Sequence, residues 1–289
     1  MTLRSILMGL AFVIMWSSAF SSARMIVADA PPLTALALRF LLSGLIGVGL
    51  ARMMGQSWHL TSAQWRATAV FGICQNALYL GLNFIAMQNI EASLAAIIAS
   101  TMPLLVALAG WAIFGEKIQP LGLAGLIAGV VGVGLIMGAR FQGGVDGVGI
   151  ALCALGVVSL TVATLAMRGA STGGNFLMVV GLQMLVGSAV LAVPAILIEP
   201  FTVTWSLRLV AAFTYTTIVP GLAATLVWFL LVDQIGTVKA ATFHFLNPFF
   251  GVAVAALLLN EKLGALDLVG VIIITGGILA VHLSKQKPQ

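Results

Sequence analysis

Two segments of this chain, 145 residues apart, carry the same order of residues. Pro103–Lys117 and Pro248–Lys262 each begin with a proline inside an apolar stretch and end in Glu-Lys. The repeat extends beyond these segments, with identical residues at the same offset in the pairs Ile90/Ile235, Ala95/Ala240, Ala96/Ala241, Leu121/Leu266, Leu123/Leu268, Gly125/Gly270, Ile127/Ile272 and Gly132/Gly277. The chain is therefore predicted to fold as two copies of one structural unit.

The composition places both copies in a lipid bilayer. Hydrophobic residues make up 61% of the chain and charged residues 7%, and the mean hydropathy is +1.15. Because a soluble domain carries about 25% charged residues, a water-soluble fold is excluded. A two-fold repeat in so apolar a chain is typical of secondary transporters, whose substrate sites lie near mid-membrane where the repeats meet.

Other functional classes find no support in the sequence. The net charge is +5, but Lys and Arg occur mostly singly, so no basic patch for nucleic acid is predicted. Cys74 and Cys153 lie in apolar runs and are interpreted as small core residues, with neither a disulfide nor a metal site. Neither a phosphate-binding GxxxxGK motif nor a metalloprotease HExxH motif is present, so no enzymatic activity and no cofactor are expected.

Ten apolar runs are long enough to be membrane-spanning helices, which need about 20 residues. They cover approximately residues 5–27, 33–53, 66–87, 92–114, 120–138, 146–168, 175–197, 207–231, 237–259 and 266–284. Five runs precede Gly143 and five follow Asp146, so the repeats are predicted to occupy residues 1–142 and 143–289. Because five is an odd number, the second repeat is inverted relative to the first. The predicted fold class is an all-α membrane protein of ten transmembrane helices in two inverted five-helix repeats.

Positive charges orient the predicted helices. With the N-terminus in the cytoplasm, eight Lys or Arg lie inside and five outside, as the positive-inside rule requires. Both termini are then cytoplasmic, and the first run is expected to remain as a helix because it completes the first repeat. Arg24 and Arg39, near the outer ends of runs 1 and 2, are expected to extend their side chains to the membrane interface.

Glycines mark the faces on which the predicted helices pack. Run 5 has GxxxG spacing at Gly125/Gly129 and at Gly134/Gly138, and Gly270 and Gly277 lie in run 10. Small residues let helices approach closely in lipid, so runs 5 and 10 are expected to pack closely against neighbouring helices. Homodimerisation through these faces is the alternative, and both a monomer and a homodimer are compatible with the sequence.

Polar side chains are costly in hydrocarbon and usually face a bundle interior or a water-filled cavity. Gln75, Tyr79 and Asn83 in run 3 fall within a sector of about 80° at helical spacing, so they predict a polar face. Further candidates for substrate binding are Trp16 and Ser17 in run 1, Thr101 in run 4, Thr161 in run 6, Thr217 and Trp228 in run 8, and His244 and Asn247 in run 9. The structural alternatives are a hydrogen-bond network inside the bundle and, for threonines, bonds to their own helix carbonyls.

Pro103 and Pro248 lie near the centres of runs 4 and 9. A proline inside a helix removes one N–H donor and displaces the carbonyl four residues earlier, here that of Ala99 or His244. The prolines are therefore predicted to kink these helices and to act as hinges in gating. A static kink is the alternative.

Ionisable groups are scarce in the middle of the runs. All eight acidic residues fall in loops or at the ends of runs, which favours facilitated transport over ion-coupled transport. His244 is the only histidine deep in a run. It is either a proton-sensitive group or a hydrogen-bonded interior residue.

These residues together resemble the EamA family of the drug/metabolite transporter superfamily. The resemblance rests on the ten runs, the Glu-Lys pair after each proline-bearing run, Leu38–Phe40 and Trp16, and it covers the whole chain as two tandem EamA units. The chain departs from the family pattern at Ser17, where Gly is frequent, and has Asn260 where the first repeat has Gly115. Within the family it is most similar to YddG-type exporters of aromatic amino acids. The resemblance implies ten helices around a central cavity and outward movement of neutral or zwitterionic solutes.

The residues and the resemblance together predict an inner-membrane transporter that exports amino acids, especially aromatic or large neutral ones, and related metabolites by alternating access. Its partners would be the small-molecule substrate and the lipid bilayer. The alternatives are an exporter of other metabolites or drugs, a sugar-phosphate or nucleotide-sugar carrier, and a non-transporting scaffold or channel. A phosphate carrier is disfavoured because Lys239 is the only plausible cation near the predicted cavity.

Overall fold

The computed structural model of the chain describes residues 2–166, 174–235, 240 and 242–286. These residues form helices joined by short loops, and no strand occurs among them. The α-helices are α1 (Leu3–Asp29), α2 (Pro32–Met53), α3 (Ser62–Phe71), α4 (Leu80–Ala86), α5 (Ala92–Ala99), α6 (Met102–Phe114), α7 (Pro120–Gln142), α8 (Gly147–Ala166), α9 (Phe176–Ile198), α10 (Leu207–Ile218), α11 (Ala224–Ile235), α12 (Asn247–Leu259) and α13 (Ala265–Gln286). The π-helical segments Gly72–Tyr79 and Val219–Ala223 join α3 to α4 and α10 to α11, and a 3₁₀ turn, Thr242–Leu246, precedes α12.

Apolar helices of membrane-spanning length account for the predicted runs. In the described part of the chain, nine helical stretches have the length and composition to cross a bilayer, and a tenth, Phe243–Leu259, is shorter. The predicted all-α membrane fold is therefore confirmed. Helices dominate because the bilayer core offers no water to bond exposed N–H and C=O groups. Of the run predicted over 237–259, residues 237–239 and 241 lie outside the described part of the chain.

The chain forms two compact units, and each contains parts of both predicted repeats. The first unit comprises Met1–Ser21, Asn89–Ile150 and Ala223–Gln289, and the second comprises Ser22–Gln88 and Ala151–Leu222. The units describe which helices pack together, whereas the repeats describe the order of residues along the chain.

In the first unit, the repeat-equivalent helices α7 and α13 pack through glycines. A Cβ added at Gly125 would lie 2.5 Å from the carbonyl oxygen of Gly277, and one at Gly132 would lie 2.9 Å from that of Gly270. A larger residue at these places would force the backbones apart, so the close packing predicted for runs 5 and 10 is confirmed. A Cβ at Gly134 would meet nothing within 4 Å, so this glycine does not hold the pair together.

The second unit repeats this arrangement with α2 and α9, which occupy equivalent places in the two repeats. A Cβ at Gly181 would lie 2.7 Å from the amide nitrogen of Val48. One at Gly44 would lie 2.7 Å from the Leu185 side chain. Each unit is therefore built on one pair of repeat-equivalent helices whose backbones approach at glycines.

Distant glutamates cap two helices that lack a side-chain cap of their own. The carboxylate of Glu261 accepts hydrogen bonds from the N–H groups of Ala92 and Ser93 at 2.8 and 2.9 Å, at the start of α5. Glu199 caps α2 in the same way through the N–H of Leu33 at 2.7 Å. A negative charge at a helix N-terminus is favourable, so the glutamate of the second Glu-Lys pair has a structural role.

The Glu-Lys loops of the two repeats begin with the same backbone conformation. Gly115 follows α6 with φ of 64°, and Asn260 follows α12 with φ of 54°. Both angles are left-handed, a conformation that Gly adopts freely and Asn tolerates better than most residues. The difference between Gly115 and Asn260 therefore leaves the backbone of the repeat unchanged at this point.

Pro103 and Pro248 begin helices, which corrects the prediction that they kink helices from within. Pro103 is the second residue of α6, and Pro248 is the second residue of α12. In the first turn of a helix the missing N–H costs no hydrogen bond. Before Pro103, the hydroxyls of Ser100 and Thr101 donate to carbonyls of α5 at 2.6 and 2.7 Å, which stabilises the break between α5 and α6.

Candidate functional site

Four aromatic rings and an asparagine meet within the first unit. We call Phe12, Trp16, Trp228, His244 and Asn247 the aromatic–histidine cluster. The ring centroid of Phe12 lies 4.9 Å from that of Trp228 and 5.2 Å from that of His244. The centroid of His244 lies 5.0 Å from that of Trp228 and 6.4 Å from that of Trp16. These separations are typical of favourable aromatic pairs, so four predicted site residues lie together.

The break before α12 positions the polar part of the cluster. His244 lies in the 3₁₀ turn and Asn247 begins α12. Side chains three residues apart align in a 3₁₀ turn, so the imidazole and the amide are neighbours. Phe12, which is 1% exposed and packs against the ring of His244, has no distinguishing signal in the sequence because it is one apolar residue in an apolar run.

Asn247 has one hydrogen-bonding group left over. Its Nδ2 donates to Nδ1 of His244 at 3.0 Å, and its backbone carbonyl accepts from the Ser17 hydroxyl at 3.3 Å. Its Oδ1 is buried and has no hydrogen-bond partner among the residues that the structure describes. A buried amide oxygen without a donor is unfavourable. This oxygen can therefore accept a hydrogen bond from an N–H or O–H group of a ligand.

In the second unit, Tyr79 and Asn83 are buried together with Cys153. Nδ2 of Asn83 donates to the Tyr79 carbonyl at 2.8 Å, and the Cys153 thiol donates to Oδ1 of Asn83 at 3.3 Å. The Asn83 amide is thus engaged at both of its polar atoms. This geometry matches the internal hydrogen-bond network that was the structural alternative for the residues of run 3.

The π-helical segment Gly72–Tyr79 changes which residues of run 3 are buried. A turn of π-helix holds more residues than a turn of α-helix, so regular helical spacing does not apply across this segment. Gln75 is half-buried, whereas Asn76 is 3% exposed and donates to the carbonyl of Gln183 at 2.9 Å. Asn76 is therefore a buried polar residue that the spacing did not identify.

The threonine candidates bond to their own helices. Thr161 donates to the carbonyl of Val157 and Thr217 to that of Phe213, both at 2.8 Å and four residues earlier. Thr101 donates to a carbonyl three residues earlier at 2.7 Å. In this conformation the three hydroxyls stabilise their own helices, as threonines in membrane helices often do.

The prediction that Arg39 reaches the membrane interface is wrong. Arg39 lies in the second unit and is only 6% exposed. Arg24 is half-buried, and its guanidinium donates to the carbonyls of Met87 and Gln88 at the end of α4. Position along a run places an arginine near a membrane surface, but it does not say which face of the helix its neighbours cover.

Each repeat of the chain matches the same known family. Residues 3–138 and residues 147–283 are both similar to the EamA-like transporter family. The chain belongs to this family. With its membrane-spanning helices, it is therefore a multi-pass membrane protein and a transporter of the EamA type.

Relatives of this EamA-like transporter extend over most of its length. The uncharacterized transporter YvbV of Bacillus subtilis is 28% identical over 282 residues, which cover 97% of this chain and 92% of the relative. The chloroplastic WAT1-related protein At3g02690 of Arabidopsis thaliana is 26% identical over 279 residues, covering 92% and 66% respectively. The aromatic amino acid exporter YddG of Ancylobacter novellus is 30% identical over 139 residues, 47% of each chain.

A solved crystal structure shares the fold of this EamA-like transporter. Its TM-score is 0.69 at 22% sequence identity, over 97% of this chain and 98% of the other. At this identity the likeness extends to the fold alone.

Two cavities of the EamA-like transporter lie at opposite ends of the α7–α13 pair in the first unit. One, the Arg140 cavity, has a volume of about 430 Å³ and is lined by Glu91, Arg140, Lys262 and Asp267 among others. The other, the Lys117 cavity, has a volume of about 470 Å³ and includes Lys117. In the Arg140 cavity the guanidinium binds Asp267 through two hydrogen bonds of 3.0 and 3.2 Å and also pairs with Glu91.

Lys239, on which phosphate binding by this EamA-like transporter would depend, lies outside the described residues. In the described ranges, no group of three or more His, Cys, Asp or Glu side chains is placed to hold a metal ion. The aromatic–histidine cluster is the candidate site because it offers both aromatic rings and a buried polar atom without a hydrogen-bond partner among the described residues.

Proposed function

We propose that this transporter exports amino acids with large neutral side chains, aromatic ones included, and related metabolites across the inner membrane. In this proposal both termini are cytoplasmic, and residues 1–142 and 143–289 are inverted repeats that give alternating access. The likeness to the aromatic amino acid exporter YddG, which spans 47% of each chain, supports this substrate class.

The observation that carries the proposal is the buried Oδ1 of Asn247, which has no hydrogen-bond partner among the described residues and belongs to a side chain that bonds the ring of His244. An amino acid brings an ammonium group, which donates hydrogen bonds to an amide oxygen and is attracted by the face of a Trp ring. Its apolar side chain can stack on the same rings. Trp16, Trp228 and His244 are half-buried, so each retains surface for a ligand. A mostly apolar site with few polar groups is typical of small-molecule binding.

In this proposal, the helix breaks before Pro103 and Pro248 act as hinges. The two breaks lie at equivalent places in the two repeats. Each lies immediately before the helix that contains the proline, α6 or α12. Hinges are commonly a few residues at the end of an element, which absorb changes in backbone angles. Segments on either side of such a break could tilt separately, as alternating access requires.

Flux into proteoliposomes that contain the purified protein tests the substrate class. We expect saturable flux of labelled phenylalanine and methionine that exceeds the flux of threonine. This flux should be independent of a pH gradient, because all eight acidic residues lie in loops or at the ends of the runs. Flux that requires the gradient would make His244 the first residue to test for coupling. Absence of flux for all three would reject amino acid export and direct the search to other metabolites or drugs.

A variant of Asn247 tests the role of the cluster. We expect Asn247→Ala to lower kcat/KM for phenylalanine by roughly 10-fold, the value of a hydrogen bond to a charged group. Asn89→Ala is the matched control, because Asn89 lies in the same unit and is exposed. Equal activity of the two variants would contradict the assignment of Asn247.

A further inference from the structure

Helix α2 carries a charged side chain into the interior of the second unit. Arg39 lies about two turns into this helix and is 6% exposed. Its Nε is buried and has no hydrogen-bond partner among the described residues. A guanidinium has five N–H donors and stays charged in proteins, so this buried position leaves a positive charge in need of an acceptor.

No carboxylate of the second unit compensates this charge. The unit contains two acidic residues, Asp29 and Glu199. Glu199 caps the start of α2, and Asp29 accepts a hydrogen bond from the Ser206 hydroxyl at 3.0 Å. Both ion pairs found among the described residues belong to Arg140, in the first unit. A buried charge without a partner is strongly unfavourable, and in a membrane protein it marks a functional site.

Ser43 and the backbone of Gly221 lie near the guanidinium of Arg39. Ser43, one turn further along α2, donates to the carbonyl of Thr217 at 3.4 Å. A Cβ added at Gly221 would lie 3.4 Å from Oγ of Ser43 and 3.8 Å from Nη2 of Arg39. Gly221 thus brings backbone without a side chain up to the guanidinium. It belongs to the π-helical segment Val219–Ala223, and such segments are frequent at functional sites.

We propose that Arg39 binds the carboxylate of a transported solute in a site that the second unit forms by itself, with Ser43 and the backbone at Gly221, distinct from the aromatic–histidine cluster of the first unit. The inference rests on the proposed function, because an amino acid carries a carboxylate. The planar guanidinium can bond both oxygens of a carboxylate at once. The ring of Phe40, whose centroid lies 5.2 Å from Cζ of Arg39, supports one face of the guanidinium. The site therefore selects solutes with a carboxylate over the corresponding amides and amines.

Competition between phenylalanine and its amide tests this selection. In wild-type proteoliposomes, we expect phenylalanine to inhibit the flux of labelled phenylalanine at roughly 10- to 100-fold lower concentration than phenylalaninamide, as for a hydrogen bond to a charged group. Arg39→Gln should raise KM for phenylalanine by a similar factor and remove the preference for the carboxylate. Arg39→Lys should keep part of it, because the charge remains but the planar fork is lost. Arg208→Gln, an exposed arginine of the same unit, is the matched control and should behave as wild type.

The outcomes separate this inference from the proposed function. If phenylalanine and its amide compete equally in the wild type, or if Arg39→Gln behaves like Arg208→Gln, the Arg39 site is rejected while amino acid transport stands. If the wild type moves no amino acid, the proposed function fails and thermal unfolding in detergent decides the inference. A higher Tm with phenylacetate in the wild type but not in Arg39→Gln would retain a carboxylate site. No rise, or a rise with inorganic phosphate only, would overturn it.

The same unfolding measurement without ligand shows whether Arg39→Gln is folded. If this variant does not fold, the decision passes to Arg39→Lys, which keeps the charge. A preference for the carboxylate that is reduced in Arg39→Lys, with unchanged unfolding, supports the inference. A preference equal to that of the wild type rejects bidentate binding at Arg39.

Discussion

The Arg140 cavity and the Lys117 cavity lie at opposite ends of two repeat-equivalent helices, yet their electrostatics differ. In the Arg140 cavity, Arg140 holds the carboxylates of Asp267 and Glu91. At the offset of 145 residues, Gly122 stands in place of Asp267 and Gly236 in place of Glu91. The repeat thus preserves the helices, while two substitutions remove the carboxylates of this ion-pair network from the equivalent positions.

This difference shows that equivalent backbones need not open with equal ease. Opening at the Arg140 cavity must separate Arg140 from two carboxylates, and the Asp267 side chain is only 5% exposed. At the Lys117 cavity, Gly122 offers no carboxylate at the position equivalent to Asp267. We therefore expect the transporter to rest with the Arg140 end closed. The following predictions run from the largest expected effect to the smallest.

Removal of Arg140 should have the largest effect. We expect Arg140→Gln to lower the free energy of unfolding by about 3 kcal/mol, because it leaves the buried Asp267 carboxylate without its cation. Thermal unfolding in detergent measures the change. Arg140→Lys keeps the charge but loses the paired geometry, so its loss should be smaller. Equal losses in the two variants would show that bidentate geometry, and not charge, dominates.

The same substitution should change access at one end only. Val145 lines the Arg140 cavity and Ile118 lines the Lys117 cavity, and both are half-buried. In a background where both native cysteines are serine, we expect Arg140→Gln to speed maleimide labelling of Val145→Cys several-fold. Labelling of Ile118→Cys should not change. A similar acceleration at both positions would indicate general unfolding. It would contradict the expectation that the ion pairs of Arg140 close only one end of the α7–α13 pair.

A larger side chain between α7 and α13 should lower the stability of the protein, whichever end of the pair is open. A Cβ at Gly277 would lie 2.7 Å from the carbonyl oxygen of Gly125. Gly277→Ala should therefore cost about 2 kcal/mol of unfolding free energy through overpacking. Gly134→Ala is the control on the same pair, and its open surroundings predict no loss. Stability is measured by thermal unfolding, and a loss in Gly134→Ala would indicate a partner for that face.

Loss of the Glu261 cap should have a moderate effect. Glu261→Ala removes both acceptors for the first N–H groups of α5, so we expect a loss of about 1.5 kcal/mol in thermal unfolding. Asn260→Gly, next to it, keeps the left-handed conformation and should not destabilise the protein. If both variants lose stability equally, the conformation of the loop matters more than the cap.

Glu91 should contribute least to the ion-pair network. Its side chain is 41% exposed, and exposed ion pairs contribute only about 0.5 kcal/mol. We expect Glu91→Gln to lower the free energy of unfolding by about this amount, and high salt to reduce the difference from wild type. A loss as large as that of Arg140→Gln would mean that Glu91, and not Asp267, holds this end closed.

Much of the fold could be predicted because its causes lie within single runs or in the lipid. Apolar runs of spanning length become helices in a bilayer because their backbone N–H and C=O groups must hydrogen-bond to one another there. Gly125 and Gly277 pack closely because only small residues allow such an approach. Trp16, Trp228 and His244, which lie together in the structure, could be chosen as candidate site residues because large polar or aromatic side chains are unusual in these runs. Phe12, their closest neighbour, could not, since nothing in the sequence separates it from other apolar residues.

Three errors show where this reasoning fails, each for a different physical reason. Arg39 was expected at the interface because its position along the run predicts its depth in the membrane. The sequence does not show whether neighbouring helices cover the face of α2 that carries Arg39. Asn76, next to Gln75, was overlooked because regular helical spacing does not apply across a π-helical segment. Pro103 was expected inside a helix, but the helix is interrupted just before it. Hydroxyl groups that bond back to α5 stabilise this interruption, and the sequence does not show these bonds.

By itself the sequence determined that this protein consists of two repeats of membrane-spanning helices, because apolar length and residue order are properties of the chain alone. The tertiary structure decided that Arg39 is buried without a counter-ion among the described residues. It also decided that Arg140 meets Asp267, 127 residues away, and that Trp16 and His244 share one cluster. Such contacts depend on which faces of distant helices are brought together, and the pattern of a single helix does not contain that information.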